Sequence, residues 1–136
     1  MGFTDRFNAQ HDEILALANA ITKMLAAKEP DAEGMRRQLS VLVGKVNFHL
    51  AMEDKALYPR LLERKGSRAA SMASNFQREM GGLAEVFAAY AAKWQVSAIR
   101  ANLPDFATET RKTLGALTHR IGRETTELYP LADSEA

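Results

Sequence analysis

The chain of 136 residues contains no cysteine, which excludes disulfide bridges, thiolate metal sites, iron–sulfur clusters and cysteine nucleophiles. An excess of one charge is also missing. Eighteen Lys and Arg face seventeen Asp and Glu, a balance that gives no general attraction to nucleic acid or anionic membrane. No apolar run approaches the roughly 18 residues that a membrane-spanning helix needs. Because the start, MGFTDRFNAQHDE, is too polar for a secretory signal, we expect a soluble, cytoplasmic protein.

Proline and glycine are scarce as well, with four and eight residues. Apolar residues recur between them at steps of three and four, the period of an α-helix. These apolar stripes cover residues 7–25, 35–57, 69–94 and 106–128. The links between them lie near residues 29–31, 65–68 and 96–103. Because short links make sequential helices antiparallel, the sequence predicts one all-α domain over residues 1–136, an antiparallel up-down-up-down four-helix bundle.

Local signals mark the ends of the predicted helices. Thr4 and Asp31 are residue types that cap helix N-termini. Pro59 and Pro130 follow long periodic stretches. Each should end or kink its helix, because proline has no N–H and clashes with the preceding turn.

Four polar residues occupy positions of the apolar stripes: His11, His49, Glu53 and Glu124. A single histidine there is more often a hydrogen-bonded core residue, and a lone glutamate near a helix end is usually solvated. The combination on three helices favours a metal site instead, because a buried carboxylate without a partner is costly. His49 and Glu53 stand at i and i+4, hence on one helix face, and imidazole with carboxylate suits iron, manganese or zinc.

An internal repeat supports this interpretation. Glu53 is followed by Leu57-Tyr58-Pro59, and Glu124 by Leu128-Tyr129-Pro130, so the pattern E-x-x-x-L-Y-P occurs twice. The Leu-Tyr-Pro element alone is explained by packing and helix termination, but these do not explain the glutamate.

With these residues the chain resembles the hemerythrin-like family, also called the HHE cation-binding domain. The motifs are Q-H-D-E-I with His11, F-H-L-A-M-E-D-K-A-L-Y-P with His49 and Glu53, and H-R-I-G-R-E-T-T-E-L-Y-P with His119 and Glu124. The resemblance implies an antiparallel four-helix bundle with two irons, ligated by histidines of all four helices and bridged by two carboxylates. It also implies oxygen binding, oxygen or nitric oxide sensing, or iron handling. By position, His11, His49 and Glu53 match the family's ligands on the first two helices. Glu124 matches its second bridging carboxylate.

The third helix departs from the family pattern because it contains no histidine. Phe76 and Met80 occupy the inward positions where the family carries histidines, and Gln77 beside them is a weak substitute. Methionine sulfur is a soft ligand, unsuited to replace imidazole on ferric iron. Gly81 and Gly82 follow directly and favour a local distortion of the helix.

The fourth helix leaves two questions open. His119 and Glu124 stand at i and i+5, about 140° apart on a regular helix, so His119 faces away from the core unless a π-type turn near Gly122 returns it. Arg120 stands at i−4 from Glu124, where it either lies on the surface or reaches inward to neutralise Glu124 or Glu53 in place of a cation.

Two functional hypotheses follow. In the first, His11, His49, Glu53 and Glu124 hold one metal ion, iron or else zinc or manganese, with an open position for O₂ or NO; His119 would allow a second ion. We expect binding or sensing rather than turnover, because no separate base, nucleophile or substrate pocket can be identified. In the second, the bundle has lost the metal and acts as a regulatory or protein-interaction module. A protein partner or a homodimer is compatible with either hypothesis.

Overall fold

We describe the protein from a computed structural model, which covers residues 2–80 and 82–135, apart from the side chains of Met80 and Glu135. The described residues form helices and connecting turns, with no strand among them. The α-helices are α1 (Asp5–Leu25), α2 (Ala32–Met52), α3 (Tyr58–Glu63), α4 (Arg68–Met80), α5 (Leu83–Lys93), α6 (Val96–Ala101), α7 (Leu103–Arg123) and α8 (Tyr129–Glu135). Two π-helical turns, π1 (Glu53–Leu57) and π2 (Glu124–Leu128), join α2 to α3 and α7 to α8.

The two predicted N-caps have different outcomes. Asp31 caps α2, since its carboxylate accepts a hydrogen bond from the Gly34 N–H at 3.0 Å. Thr4 precedes α1 but does not cap it with its side chain, so that prediction is wrong. Its backbone N–H and hydroxyl instead donate to the Asp133 carboxylate at 2.9 and 2.8 Å, which ties the start of α1 to α8.

The sequence predicted that Pro59 and Pro130 would end or kink their helices, but neither proline ends its helix. Each follows a π turn in which the tyrosine N–H bonds five residues back, from Tyr58 to the Glu53 carbonyl and from Tyr129 to the Glu124 carbonyl. Such a turn carries one extra residue. Helix therefore continues through Pro59 and Pro130 into α3 and α8.

The third stripe is divided between two helices. α4 ends at Met80 and α5 begins at Leu83, with Gly82 in a turn, whereas Gly81 lies outside the described residues. The predicted link near 96–103 also contains a short helix, α6.

The helices pack in a closed set of contacts. α1 lies against α2 and α7, α2 also contacts α5 and α6, and α5 contacts α7. At the other end α4 packs against α3, α8 and π2. No helix within the described residues is long and apolar enough to cross a membrane.

Two apolar clusters fill the interior, and polar side chains lie between them. The first cluster includes Ile14, Ile21, Leu39, Val46, Phe106 and Ile121. The second includes Phe7, Leu57, Phe76, Leu128 and Tyr129. Along α1, His11 lies between Phe7 and Ile14, and at the end of α7 Glu124 lies between Ile121 and Leu128. Along both segments, a polar residue therefore separates the residues of one apolar cluster from those of the other.

Candidate metal centre

The polar layer is a buried group of two histidines and two glutamates. The side chains of His11, His49, Glu53 and Glu124 are between 0 and 3% exposed. They come from α1, α2, π1 and π2. One potential ligand atom from each lies within 4.8 Å of all the others. The structure thus brings together the four residues that were singled out in the apolar stripes.

Both imidazoles direct Nε2 into the centre of the group. The two Nε2 atoms are 3.0 Å apart, and Glu124 Oε1 lies 2.9 Å from that of His11 and 3.5 Å from that of His49. Glu53 Oε1 is 3.3 Å from His49 Nε2. Ligand atoms bound to one ion at about 2.1 Å are separated by about 3.0 to 3.4 Å for octahedral to tetrahedral angles. The separations fall close to this range.

The outer nitrogens of both histidines have hydrogen-bond partners. His49 Nδ1 lies 2.7 Å from Gln10 Oε1, and His11 Nδ1 lies 2.9 Å from the Thr125 hydroxyl. Because an amide oxygen only accepts, His49 carries its proton on Nδ1, and neutral His49 presents a lone pair at Nε2. A ligating histidine commonly donates its other N–H in this way, which fixes its tautomer and orientation.

Two buried tyrosines contact the carboxylates in a reciprocal manner. Tyr129, from the second repeat, donates to Glu53 Oε2 of the first repeat at 2.7 Å. Tyr58, from the first repeat, donates to Glu124 Oε2 of the second at 3.4 Å. Burial, followed by the two carboxylate charges, raises the pKa of both phenols far above the usual value. Without a cation both tyrosines therefore remain neutral donors, and each glutamate turns Oε1 towards the histidines.

Burial and mutual contact separate the pKa values of the group. Burial lowers the pKa of His49, but hydrogen bonds and charges from Glu124 and Glu53 outweigh it and raise that pKa to about 9. Burial raises the pKa of Glu53 to about 7, against the opposing effect of His49, whose Nε2 lies 3.3 Å from Oε1. Burial acts likewise on Glu124, but hydrogen bonds from His11 and His49 prevail and lower its pKa to about 2. Without a cation the group thus holds extra protons near neutral pH.

The donor set fits a cation. Glu53 Oε1 is fully buried and has no hydrogen-bond partner among the described residues, so this anionic oxygen faces His49 without a satisfied contact. The two facing Nε2 atoms need a proton between them, or else a positive ion that accepts both lone pairs. Imidazole nitrogen and carboxylate oxygen together suit iron, zinc or manganese.

The structure does not bring His119 to this group, because the residue is exposed on α7. A π turn near Gly122 had been considered as a way to turn it inward. The turn instead begins at Glu124, after the interval between His119 and Glu124, so the two keep the angular separation of a regular helix.

Arg120 is buried, at 7% exposure, yet its hydrogen bonds lead away from the two central carboxylates. Its guanidinium donates to Glu79 Oε2 at 3.2 Å and to the Phe76 carbonyl at 3.3 Å. It also lies over the Phe76 ring. The predicted alternatives, a surface arginine or a partner for Glu53 or Glu124, both differ from this position.

The third helix brings an apolar side chain rather than a ligand. Phe76 is 1% exposed and belongs to the second cluster, while Gln77 is exposed and does not replace a histidine. The side chain of Met80 lies outside the described residues. Beside His49 and Glu124 is a cavity of about 10 Å³ lined partly by Leu83 and Phe87 of α5, room for about one water molecule.

Sequence reasoning missed the contacts of Tyr58, Tyr129, Gln10 and Thr125 with the group. Each tyrosine stands at i+5 from a glutamate, a spacing that an α-helix places about 140° apart. Only the π turns bury both residues. The repeat E-x-x-x-L-Y-P was the available signal, because its tyrosine occurs at the same place in both halves.

The sequence matches the description Hemerythrin HHE cation binding domain over residues 2–132. Searches of curated proteins and of solved structures gave no significant match. The match covers nearly the whole chain, and the buried His/Glu group is compatible with the cation binding that this description states. The protein therefore belongs to the hemerythrin HHE cation-binding domain family.

Proposed function

We propose that this protein binds one non-haem iron ion through His11, His49, Glu53 and Glu124 and uses it to bind or sense O₂ or NO, or to handle iron. The observation that carries the proposal is the convergence of the four residues, whose ligand atoms all lie within 4.8 Å of one another, with four of the separations among Nε2 and Oε1 atoms at 2.9 to 3.5 Å. Two carboxylates in so dry a site are costly unless a positive charge lies between them.

We propose further that the ion is held within a single antiparallel up-down-up-down four-helix bundle over residues 1–136. The closed contact set of α1, α2, α5 and α7 supports it. So do the short connections, since these favour antiparallel neighbours.

The choice of iron rests on the donor types and on the family. Nitrogen and oxygen ligands accept iron, zinc or manganese. When bound, iron supplies a coordination position for a diatomic gas and one-electron redox chemistry. Four protein ligands leave such a position open, and the small cavity beside His49 and Glu124 supports a small ligand rather than an organic substrate. Binding or sensing is therefore favoured over turnover.

Anaerobic reconstitution with Fe(II), followed by titration with NO, tests this function. We expect iron to bind and NO to produce an electron paramagnetic resonance signal of an iron–nitrosyl. Iron that binds without any spectral response to NO or O₂ would contradict gas binding and leave iron handling.

The second candidate is a bundle without metal that acts as a regulatory or interaction module. It is favoured by the placement of Phe76 and by the protons that the group holds on its own, since a protonated His49 beside Glu124 partly neutralises the site. Absence of bound iron, manganese and zinc after reconstitution would support this candidate over the first.

A further inference from the structure

We propose that Tyr129 is a fifth ligand of the bound cation and coordinates as a phenolate when that cation is trivalent. This inference rests on the proposed metal site. The Tyr129 hydroxyl oxygen lies 3.0 Å from His11 Nε2, 3.5 Å from His49 Nε2 and 2.7 Å from Glu53 Oε2. The two distances to Nε2 match the separations of 2.9 to 3.5 Å among the four other donors, and the contact to Glu53 Oε2 holds the hydroxyl beside them, so the oxygen is placed as one more ligand atom.

The ring of Tyr129 is held where it is. The residue is 1% exposed, and its ring stacks on that of His11 with centroids 4.9 Å apart and an angle of 18°. Phe7 packs at 5.9 Å, and π2 orients the chain that carries the tyrosine. This packing fixes the orientation of the ring and therefore holds the hydroxyl beside the two Nε2 atoms.

Charge explains why the valence of the ion matters. Glu53 and Glu124 supply two negative charges, which balance a divalent ion in the dry interior. A trivalent ion leaves one positive charge uncompensated, and an unpaired buried charge is costly. Tyr129 can remove it by releasing its proton to solvent as the ion binds, since a bound cation ionises a coordinating side chain. Phenolate oxygen is also a hard donor, and hard oxygen ligands suit hard cations.

Tyr58 provides a matched control. It occupies the same place in the first repeat and is also buried, at 3% exposure. Its hydrogen bond to Glu124 Oε2 is 3.4 Å long, against 2.7 Å from Tyr129 to Glu53. Replacing either tyrosine with phenylalanine removes the hydroxyl and with it the hydrogen bond to a glutamate, and it keeps the ring.

The test is titration of the metal-free protein with Ga(III), supplied as its nitrilotriacetate complex, and separately with Zn(II). In the wild type we expect Ga(III) to produce an ultraviolet difference spectrum of one tyrosinate per chain, and Zn(II) to bind without it. Tyr129→Phe should lose that signal, bind Ga(III) at least about 100-fold more weakly and retain Zn(II), since loss of an outer-shell partner alone costs 10- to 100-fold. Tyr58→Phe should keep the tyrosinate signal.

Several results overturn the inference without touching the metal site. These are Zn(II) binding without Ga(III) binding, Ga(III) binding to the wild type without a tyrosinate signal, or equal Ga(III) affinity in Tyr129→Phe. The wild-type spectrum needs no variant, so a folding defect in Tyr129→Phe does not obscure the result. If the wild type binds neither ion, the proposed metal site itself fails.

Discussion

Two single residues, Gln10 and Thr125, determine which nitrogen of each histidine faces the site. Gln10 accepts from His49 Nδ1, and Thr125 contacts His11 Nδ1. The inner Nε2 atoms are thereby oriented towards the glutamates. Neither residue lies among the four candidate ligands, yet both determine how the two histidines are presented.

Replacing Gln10 with leucine should weaken metal affinity by about 10- to 100-fold, because His49 loses the acceptor that fixes its tautomer. Competition with a chromophoric chelator measures the affinity. Gln38→Leu is the control, since Gln38 is likewise half-buried and lies about 16 Å from His49 along α2. Equal affinity in the two variants would exclude an orienting role for Gln10.

The pKa shifts of the group predict that the stability of the metal-free protein falls with rising pH while the affinity for metal rises. The pKa of His49 is raised from 6.5 to about 9, so its stabilising contribution is complete below about pH 6.5 and is lost as pH rises through 9. The pKa of Glu53 is raised from 4.5 to about 7, so its stabilising contribution is complete below about pH 4.5 and is lost as pH rises through 7. Glu124, lowered from 4.5 to about 2, loses its contribution only below pH 4.5.

The metal-free protein should therefore be most stable near pH 4.5 to 5 and lose free energy of unfolding from about pH 5 to 9, as measured by urea denaturation in chelator. Metal affinity should rise over the same range, because protons compete with the ion for the ligands. A His49→Gln variant should show a flatter alkaline decline. A wild-type stability that increased towards pH 9 without metal would contradict the assigned pKa shifts.

The π turns act at the scale of secondary structure. Periodicity in steps of three and four located the helices and the four polar positions, because His11, His49, Glu53 and Glu124 obey the α-helical period. It also placed Leu57 and Leu128 on the apolar stripes, and both are buried, but it did not place the tyrosine that follows each of them. One extra residue in π1 and in π2 shifts the register, so the inward placement of Leu57 with Tyr58, and of Leu128 with Tyr129, does not follow from a regular helix.

Deleting Thr126, an exposed residue of π2, should convert the turn into regular helix and rotate Leu128 and Tyr129 by about 100°. We expect a loss of about 4 kcal/mol or more in the free energy of unfolding, comparable with emptying a buried leucine site. Urea denaturation measures it. Thr126→Ala keeps the length of the chain and should change stability by less than about 1 kcal/mol; an equally mild deletion would show that the extra residue is dispensable.

Arg120 connects α7 to α4 and makes no hydrogen bond to the central glutamates among the described residues. It bonds from α7 to Glu79 and the Phe76 carbonyl of α4. Sequence position alone could not choose between the surface and the centre, since the partner is a half-exposed glutamate that periodicity does not identify.

Arg120→Met should lower the free energy of unfolding by about 1 to 3 kcal/mol, because the Phe76 carbonyl loses a charged donor, whereas the contact to half-exposed Glu79 adds little. Metal affinity should stay unchanged. Chemical denaturation and a metal titration, each compared with the exposed Arg111→Met on the same helix, measure the two effects. A change in metal affinity would return Arg120 to the role of a charge partner for the central glutamates.

At the scale of the whole molecule, the interior consists of two apolar clusters with a polar layer between them. The sequence predicted the helical class, the residues of this layer and the family, because all three depend on local period and residue type. Gly81 and Gly82 indicated a distortion of the third helix, and α4 and α5 are separate helices. The sequence could not predict the reciprocal tyrosine contacts, because these depend on the tertiary packing of segments far apart in the chain. A core that retains two buried carboxylates is most simply explained by a cation that balances them.

The iron content of the protein after expression in iron-supplemented medium and anaerobic reconstitution tests this central claim most directly. We predict about one ion per chain in the wild type and in the exposed control Asp54→Ala/Lys55→Ala, and nearly none in His49→Ala/Glu53→Ala, which lacks one imidazole and one carboxylate of the donor set. A wild type that stays free of iron, manganese and zinc would contradict metal binding, and iron that persists in the His49→Ala/Glu53→Ala variant would contradict the assigned site.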